Sequence, residues 1–160
     1  MAGARYERQL VNTLTDLGWG ALRVPTSGSA TSRDLPDVLT GRPHPDATDV
    51  ANSEAYAIEV KTTSGTTAYT KRDELNALTR FASAFGAQPL VAAYFKQQGG
   101  ARSRYYLVPL EELRMTDQHG GVPEANATDR AHYIAYPSTP TQDPVLETDP
   151  GVTAQGAPQP

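Results

Sequence analysis

The chain has 160 residues, with 14 Lys and Arg against 18 Asp and Glu, no cysteine and a pI of about 5.3. That is room for one domain of ordinary size, and the lack of cysteine excludes a disulfide framework and thiolate metal sites, leaving oxygen ligands as metal donors. No apolar run approaches the roughly 18 residues needed to cross a bilayer and no secretory signal opens the chain, so a soluble, cytoplasmic protein without a membrane partner is expected.

Residues 4 to 18 read as a helix, because Leu10, Val11, Leu14 and Leu17 recur at helical spacing and Gly18 can end it. Glu7 falls inside that apolar stripe, where a carboxylate gains nothing unless a group inside pairs with it. Arg8 lies at the stripe's edge, within reach of solvent or a phosphate. Trp19 to Pro25 is the first strand, with Arg23 pointing away from Leu22 and Val24. The loop from Thr26 to Leu35 is rich in donors, and its Ser27-Gly28-Ser29 can approach a phosphate closely. Asp37 to Thr40 is a short strand, and the polar connection Gly41 to Ser53 makes it one arm of a hairpin with a long tip.

The other arm, Ala55 to Lys61, is the segment around which the rest is organised. Tyr56, Ile58 and Val60 alternate with Ala57, Glu59 and Lys61, so a strand puts the apolar set on one face and the carboxylate and ammonium on the other. Residues i and i+2 sit roughly 7 Å apart on one face, close enough for Glu59 to bind a cation while Lys61 meets an anion beside it.

Thr62 to Ala68 is small and polar, with Tyr69 at its end. A helix is expected from about Thr70, with Asp73 in a capping-box-like position, Gly86 as its stop, and Leu75, Leu78, Ala82 and Phe85 as its buried face. Pro89 to Lys96 and Arg104 to Pro109 read as two more strands, the first buried on both sides. Leu110 to Arg114 reads as a short last helix. The order helix, three strands, helix, two strands indicates an α/β fold with a mixed central sheet flanked by helices.

Residues 115 to 160 hold one basic residue against six acidic ones and seven of the 13 prolines, and are expected to be a disordered tail. An acidic chain is the reverse of the usual nucleic-acid footprint. The acidity belongs to that tail, however, since residues 1 to 114 carry 13 basic against 12 acidic residues.

Three carboxylates, Glu7, Asp37 and Glu59, come from the first helix and two neighbouring strands and are expected to converge. Oxygen-only ligation suits Mg²⁺, with Mn²⁺ as a substitute. Such an ion activates water and stabilises the leaving oxygen of a phosphodiester, while Lys61 positions the attacking oxygen or balances charge on the phosphate. No histidine is needed, and His44, His119 and His132 read as loop residues.

A string of features in order resembles the archaeal Holliday junction resolvases, within the PD-(D/E)XK nuclease superfamily. They are Gly3, Glu7-Arg8, Arg23-x-Pro-x-Ser27-Gly28, Pro36-Asp37-Val38, Ile58-Glu59-Val60-Lys61, Tyr69, Lys71-Arg72-Asp73 and Phe81-Ala82-x-x-Phe85-Gly86. The resemblance implies a restriction-endonuclease-like core over residues 1 to 114 and a homodimer that binds four-way DNA junctions. It also implies Mg²⁺-dependent paired cutting in recombination and repair, with no small-molecule cofactor. By motif position, Glu7, Asp37 and Glu59 are metal ligands, Lys61 the catalytic lysine and Ser27 a further catalytic residue. Arg8, Arg23, Ser27, Gly28, Tyr69, Lys71 and Arg72 are the DNA contacts. Two alternatives remain, another PD-(D/E)XK repair or restriction-type nuclease and a junction-binding protein without catalysis.

Overall fold

The computed structural model describes residues 2–25, 34–43, 53–96, 104–123, 132–135 and 145–147. Helix α1 (Ala2–Asp16) leads to β1 (Gly20–Arg23), β2 (Val38–Pro43), β3 (Ser53–Thr63) and β4 (Thr67–Lys71). Helix α2 (Arg72–Phe85) is followed by β5 (Gln88–Phe95), β6 (Arg104–Pro109), a 3-10 turn (Leu110–Glu112), β7 (Arg114–Met115), β8 (His119–Pro123), β9 (His132–Ala135) and β10 (Val145–Glu147).

The strands form a seven-stranded mixed sheet, β1-β2-β3-β5-β6-β9-β10, and a three-stranded one, β4-β8-β7. Among the described residues only β3 and β5 run parallel, and parallel neighbours need a crossover, which α2 supplies. The β2–β3 hairpin pairs Val38 with Ile58 and Pro43 with Ser53, so the expected hairpin forms.

Both faces of the large sheet are covered. Leu10 and Leu14 of α1 pack with Val38, Ile58, Leu90, Ala92, Tyr94, Tyr105 and Leu107. Here the alternation of β3 is realised, with Ile58 fully buried and Tyr56 and Val60 packed against the same cluster. The next residues of β5, Val91, Ala93 and Phe95, enter a second cluster with Leu75 of α2 and Val122 of β8. A strand buried on two faces needs no polar alternation, which is why β5 reads as a nearly continuous apolar run. Leu78 and Ala82 of α2 close over Ala57. Gly86 ends α2 at φ +83°, a conformation open to glycine and costly for other residues.

Several expectations need correction. Phe85 is 56% exposed, not part of the buried face of α2. The helix starts one residue later than the Thr70–Asp73 pattern implies, because Glu74 Oε2 accepts the Lys71 N–H at 3.0 Å. The polar stretch before α2 contains β4, and the expected last helix is a single 3-10 turn. Strands β7 to β10 follow it, so the ordered chain does not stop near Met115. His119 and His132 accordingly lie on strands.

Candidate active site

Asp37 stands where β2 begins. Its N–H donates to Ile58 O at 3.0 Å and its carbonyl accepts from Val24 N–H at 2.9 Å, so the backbone joins β1, β2 and β3 at this point. Its carboxylate Oδ2 accepts the Val60 N–H at 2.8 Å, which fixes the side chain against β3. Burial pushes the Asp37 carboxyl above the usual range, the Val60 hydrogen bond offsets part of this, and the charge of Glu7 pushes it up further.

Glu59 and Lys61 share the face of β3 that looks toward α2, with Nζ and Oε1 3.0 Å apart. Burial, followed by the neighbouring charge of Asp37, raises the Glu59 carboxyl to about 7. Burial disfavours the Lys61 ammonium, yet the Glu59 and Glu74 carboxylates outweigh it and hold its pKa above the ordinary lysine value. Glu74 is the site residue that sequence reasoning missed. It reaches from the first turn of α2 to place Oε2 3.0 Å from Lys61 Nζ.

Asp37, Glu59 and Glu74 line one open cleft of about 220 Å³, together with Asp34, Leu35, Ala77 and Leu78. Arg80 of α2 pairs with Asp34 at 2.8 Å and ties this rim to the helix. Glu7 does find a partner inside, and it is Arg23, with Nε 2.5 Å from Oε2. The expected convergence of Glu7, Asp37 and Glu59 is therefore incomplete. Among the described residues no group of three His, Asp or Glu side chains is gathered tightly enough to hold a metal ion. Asp37 and Glu59 share the cleft, and Glu7 stands close enough for its charge to act on Asp37.

The basic candidates lie around this centre. Arg8, Lys71 and Arg72 are exposed. Arg72 is held by the turn between β7 and β8, its N–H donating to Gln118 O at 2.8 Å and its Nη1 to Thr116 O at 2.9 Å. Tyr69 is 61% exposed on the small sheet, its ring edge-on to His119. Lys71, Arg72 and His119 share a second cleft, of about 410 Å³, with the acidic Asp73 and Asp117. Ser27 and Gly28 lie outside the described residues.

Residues 1–130 match a family model described as archaeal Holliday junction resolvase (Hjc). The chain is 31% identical over 124 residues to the crossover junction endodeoxyribonuclease Hjc of Archaeoglobus fulgidus, covering 77% of this chain and 79% of that protein. It is 30% identical over 99 residues to the crossover junction endodeoxyribonuclease of Sulfolobus islandicus rod-shaped virus 1, covering 60% of this chain and 74% of the viral one. The 1.6 Å structure of Archaeoglobus fulgidus Hjc, described as a Holliday junction resolvase from an archaeal hyperthermophile, superposes with a TM-score of 0.60 at 28% identity. That superposition covers 76% of this chain and 86% of the other.

Proposed function

This chain belongs to the archaeal Holliday junction resolvase family, and we propose that it resolves four-way DNA junctions by hydrolysing one phosphodiester in each of two strands, with Asp37, Glu59 and Lys61 as its chemical centre. The observation that carries the reading is the meeting of Asp37 and Glu59 at one cleft, with the Lys61 ammonium 3.0 Å from Glu59.

Two carboxylates fit a hard divalent cation, since Mg²⁺ is commonly held by one or two carboxylates with water and substrate phosphate completing its shell. Asp37 and Glu59 are the proposed donors, for Mg²⁺ first and Mn²⁺ as a substitute. When bound, the ion polarises phosphate oxygen and makes water a stronger nucleophile at neutral pH. Lys61 directs its Nζ hydrogens at the attacking oxygen or at charge developing on the phosphate. Val60 N–H keeps the Asp37 carboxylate aimed into the cleft. Glu7 pairs with Arg23 Nε and orients it, and the guanidinium's Nη groups are proposed to meet a phosphate. Arg8, Lys71 and Arg72 are proposed to meet the backbone of the arms and Tyr69 a sugar or base, with Ser27 and Gly28 approaching the cut site.

Paired cuts on a near two-fold substrate suit a two-fold homodimer, acting in the cytoplasm where the DNA is. Phe85, exposed and stacked on Phe81 with ring centroids 5.5 Å apart, is the apolar anchor we assign to it. Phe85→Glu is expected to halve the mass measured by light scattering and to leave the circular-dichroism spectrum unchanged. A variant of undiminished mass would remove Phe85 from the interface.

Removal of the metal has its own signature. The Glu59 carboxyl titrates near 7 in the fold against an ordinary 4.5, so between those values the folded state holds a proton that the unfolded state has lost. The associated stability is full below 4.5 and is lost as pH rises through about 7. At about 1.4 kcal/mol per unit the change is roughly 3 kcal/mol. Metal-free protein is thus expected to melt lower at pH 8 than at pH 5.5, and Mg²⁺ to flatten the profile by stabilising the ionised pair. A metal-independent profile would argue against binding by Asp37 and Glu59.

The function itself is tested with a labelled four-way junction and its linear duplex arm, each with Mg²⁺ and with chelator, using wild type and Asp37→Asn. Paired nicks confined to the junction, absent with chelator and in the variant, are expected. Equal cutting of both substrates would point to a broader nuclease. Tight junction binding with no metal-dependent cutting would point to an architectural protein.

A further inference from the structure

Glu74 makes two contacts with one oxygen. Its Oε2 accepts the Lys71 N–H at 3.0 Å, closing the start of α2, and lies 3.0 Å from Lys61 Nζ. Lys61 therefore stands between two carboxylates on different elements, Glu59 on its own strand and Glu74 on the helix. With Glu59 alone, the ammonium would be drawn only toward its own strand. Glu74 pulls from the opposite wall of the cleft that it lines with Asp37 and Glu59. Because the Lys71 N–H holds the same oxygen, this second anchor is fixed by the helix backbone and by the β4–β8 pairing that ends at Lys71.

We propose that Glu74 is a positioning residue, which gives the Lys61 ammonium a second anchor across the cleft from Glu59, so that it is held between the two carboxylates and points at the phosphate. The inference rests on the resolvase reading above and adds a residue to it. An acid in the first turn of a helix has an ordinary role in capping, so the test must separate the cap from the lysine. Glu74→Gln does so, since its amide oxygen still accepts the Lys71 N–H while the charge is removed.

Misplacing a catalytic group by about 1 Å costs on the order of 100-fold, and Lys61 keeps one of its two anchors. Single-turnover cutting by Glu74→Gln at saturating junction is therefore expected to slow by about 10-fold, with junction affinity and melting temperature near wild type. In a Lys61→Met chain, whose residual cutting is followed over hours, the same change is expected to matter by less than about twofold, because coupled residues do not add. A second readout needs no cutting. The chain has three lysines, Lys61, Lys71 and Lys96, so ¹³Cε-lysine NMR resolves each. The Lys61 signal, held apart from the others in wild type, is expected to move toward the free-lysine position in Glu74→Gln while Lys96 stays fixed.

A Glu74→Gln chain that cuts at the wild-type rate with its Lys61 signal unmoved overturns the inference and leaves the resolvase reading intact. Equal slowing in both backgrounds also overturns it, by showing that Glu74 acts apart from Lys61. A wild type that leaves the junction whole in Mg²⁺ overturns the resolvase reading and this inference with it.

Discussion

Glu59→Gln is expected to cut junctions at least 10² to 10³ times more slowly than wild type, the usual effect of deleting one group that stabilises charge in the transition state, and to melt no lower. The two halves have one cause. The Glu59 side chain is only 14% exposed, and its carboxyl titrates at about 7 because burial and Asp37 both oppose its charge. Ionised Glu59 is therefore a cost to the fold, of roughly 3 kcal/mol at most on the scale of 1.4 kcal/mol per unit. A neutral side chain of the same shape removes that cost. Lys61 is not orphaned by the change, since Glu74 remains 3.0 Å from its Nζ. Activity and stability pull in opposite directions at this residue, as they do where a site is preorganised for a ligand that the bare protein lacks. Thermal melts and single-turnover rates on one preparation test both halves. A variant that is inactive and also several degrees less stable would show that Glu59 is structural; an active one would remove it from the chemistry.

How much of this was legible depends on which force placed each residue. Burial on one face of a strand imposes a period of two, so the apolar set of Tyr56, Ile58 and Val60 and the opposing Glu59 and Lys61 could be read directly. Glu7 was legible as a carboxylate in an apolar stripe, but not its partner, because Arg23 comes from a strand 16 positions on. Glu74 left no signal. An acid in the first turn of a helix has a local explanation, and nothing in the sequence says that it also faces a lysine on β3. The small sheet was missed for a related reason. β4 is Thr67-Ala-Tyr-Thr-Lys71 and β8 is His119-Gly-Gly-Val-Pro123, neither with a periodic apolar face. They are strands because their backbones pair and because α2 covers them. Gly120 is buried among them, and a larger residue there would have to push side chains aside: a Cβ would lie 2.7 Å from a methyl carbon of Leu75 and 3.0 Å from one of Leu113.

Ending the chain at Met115 is expected to lower the melting temperature by at least about 10 °C, or to leave the protein insoluble. On composition alone the segment beyond residue 114 is an acidic tail, and its removal should be harmless. The structure places β8 inside the fold instead. It pairs with β4 from Thr67 opposite Pro123 to Lys71 opposite His119, and Val122, 3% exposed, packs in the cluster of Leu75, Val91 and Leu113. Burying a Val contributes roughly 1.5 to 3 kcal/mol, and each lost hydrogen bond costs about 1 kcal/mol. The Arg72 N–H, which donates to Gln118 O at 2.8 Å, loses its partner too. Against a total of roughly 5 to 15 kcal/mol for a domain, such losses are a large share. They fall at the start of α2, from which Glu74 reaches Lys61, so cutting should fail with the fold. Gly120→Val isolates the packing step, because its added carbons must displace Leu75 at a cost of about 1 to 3 kcal/mol. That variant is expected to melt several degrees low and to keep cutting at reduced temperature. If the chain ending at Met115 melts within a few degrees of the full chain and cuts normally, the small sheet contributes nothing to the site.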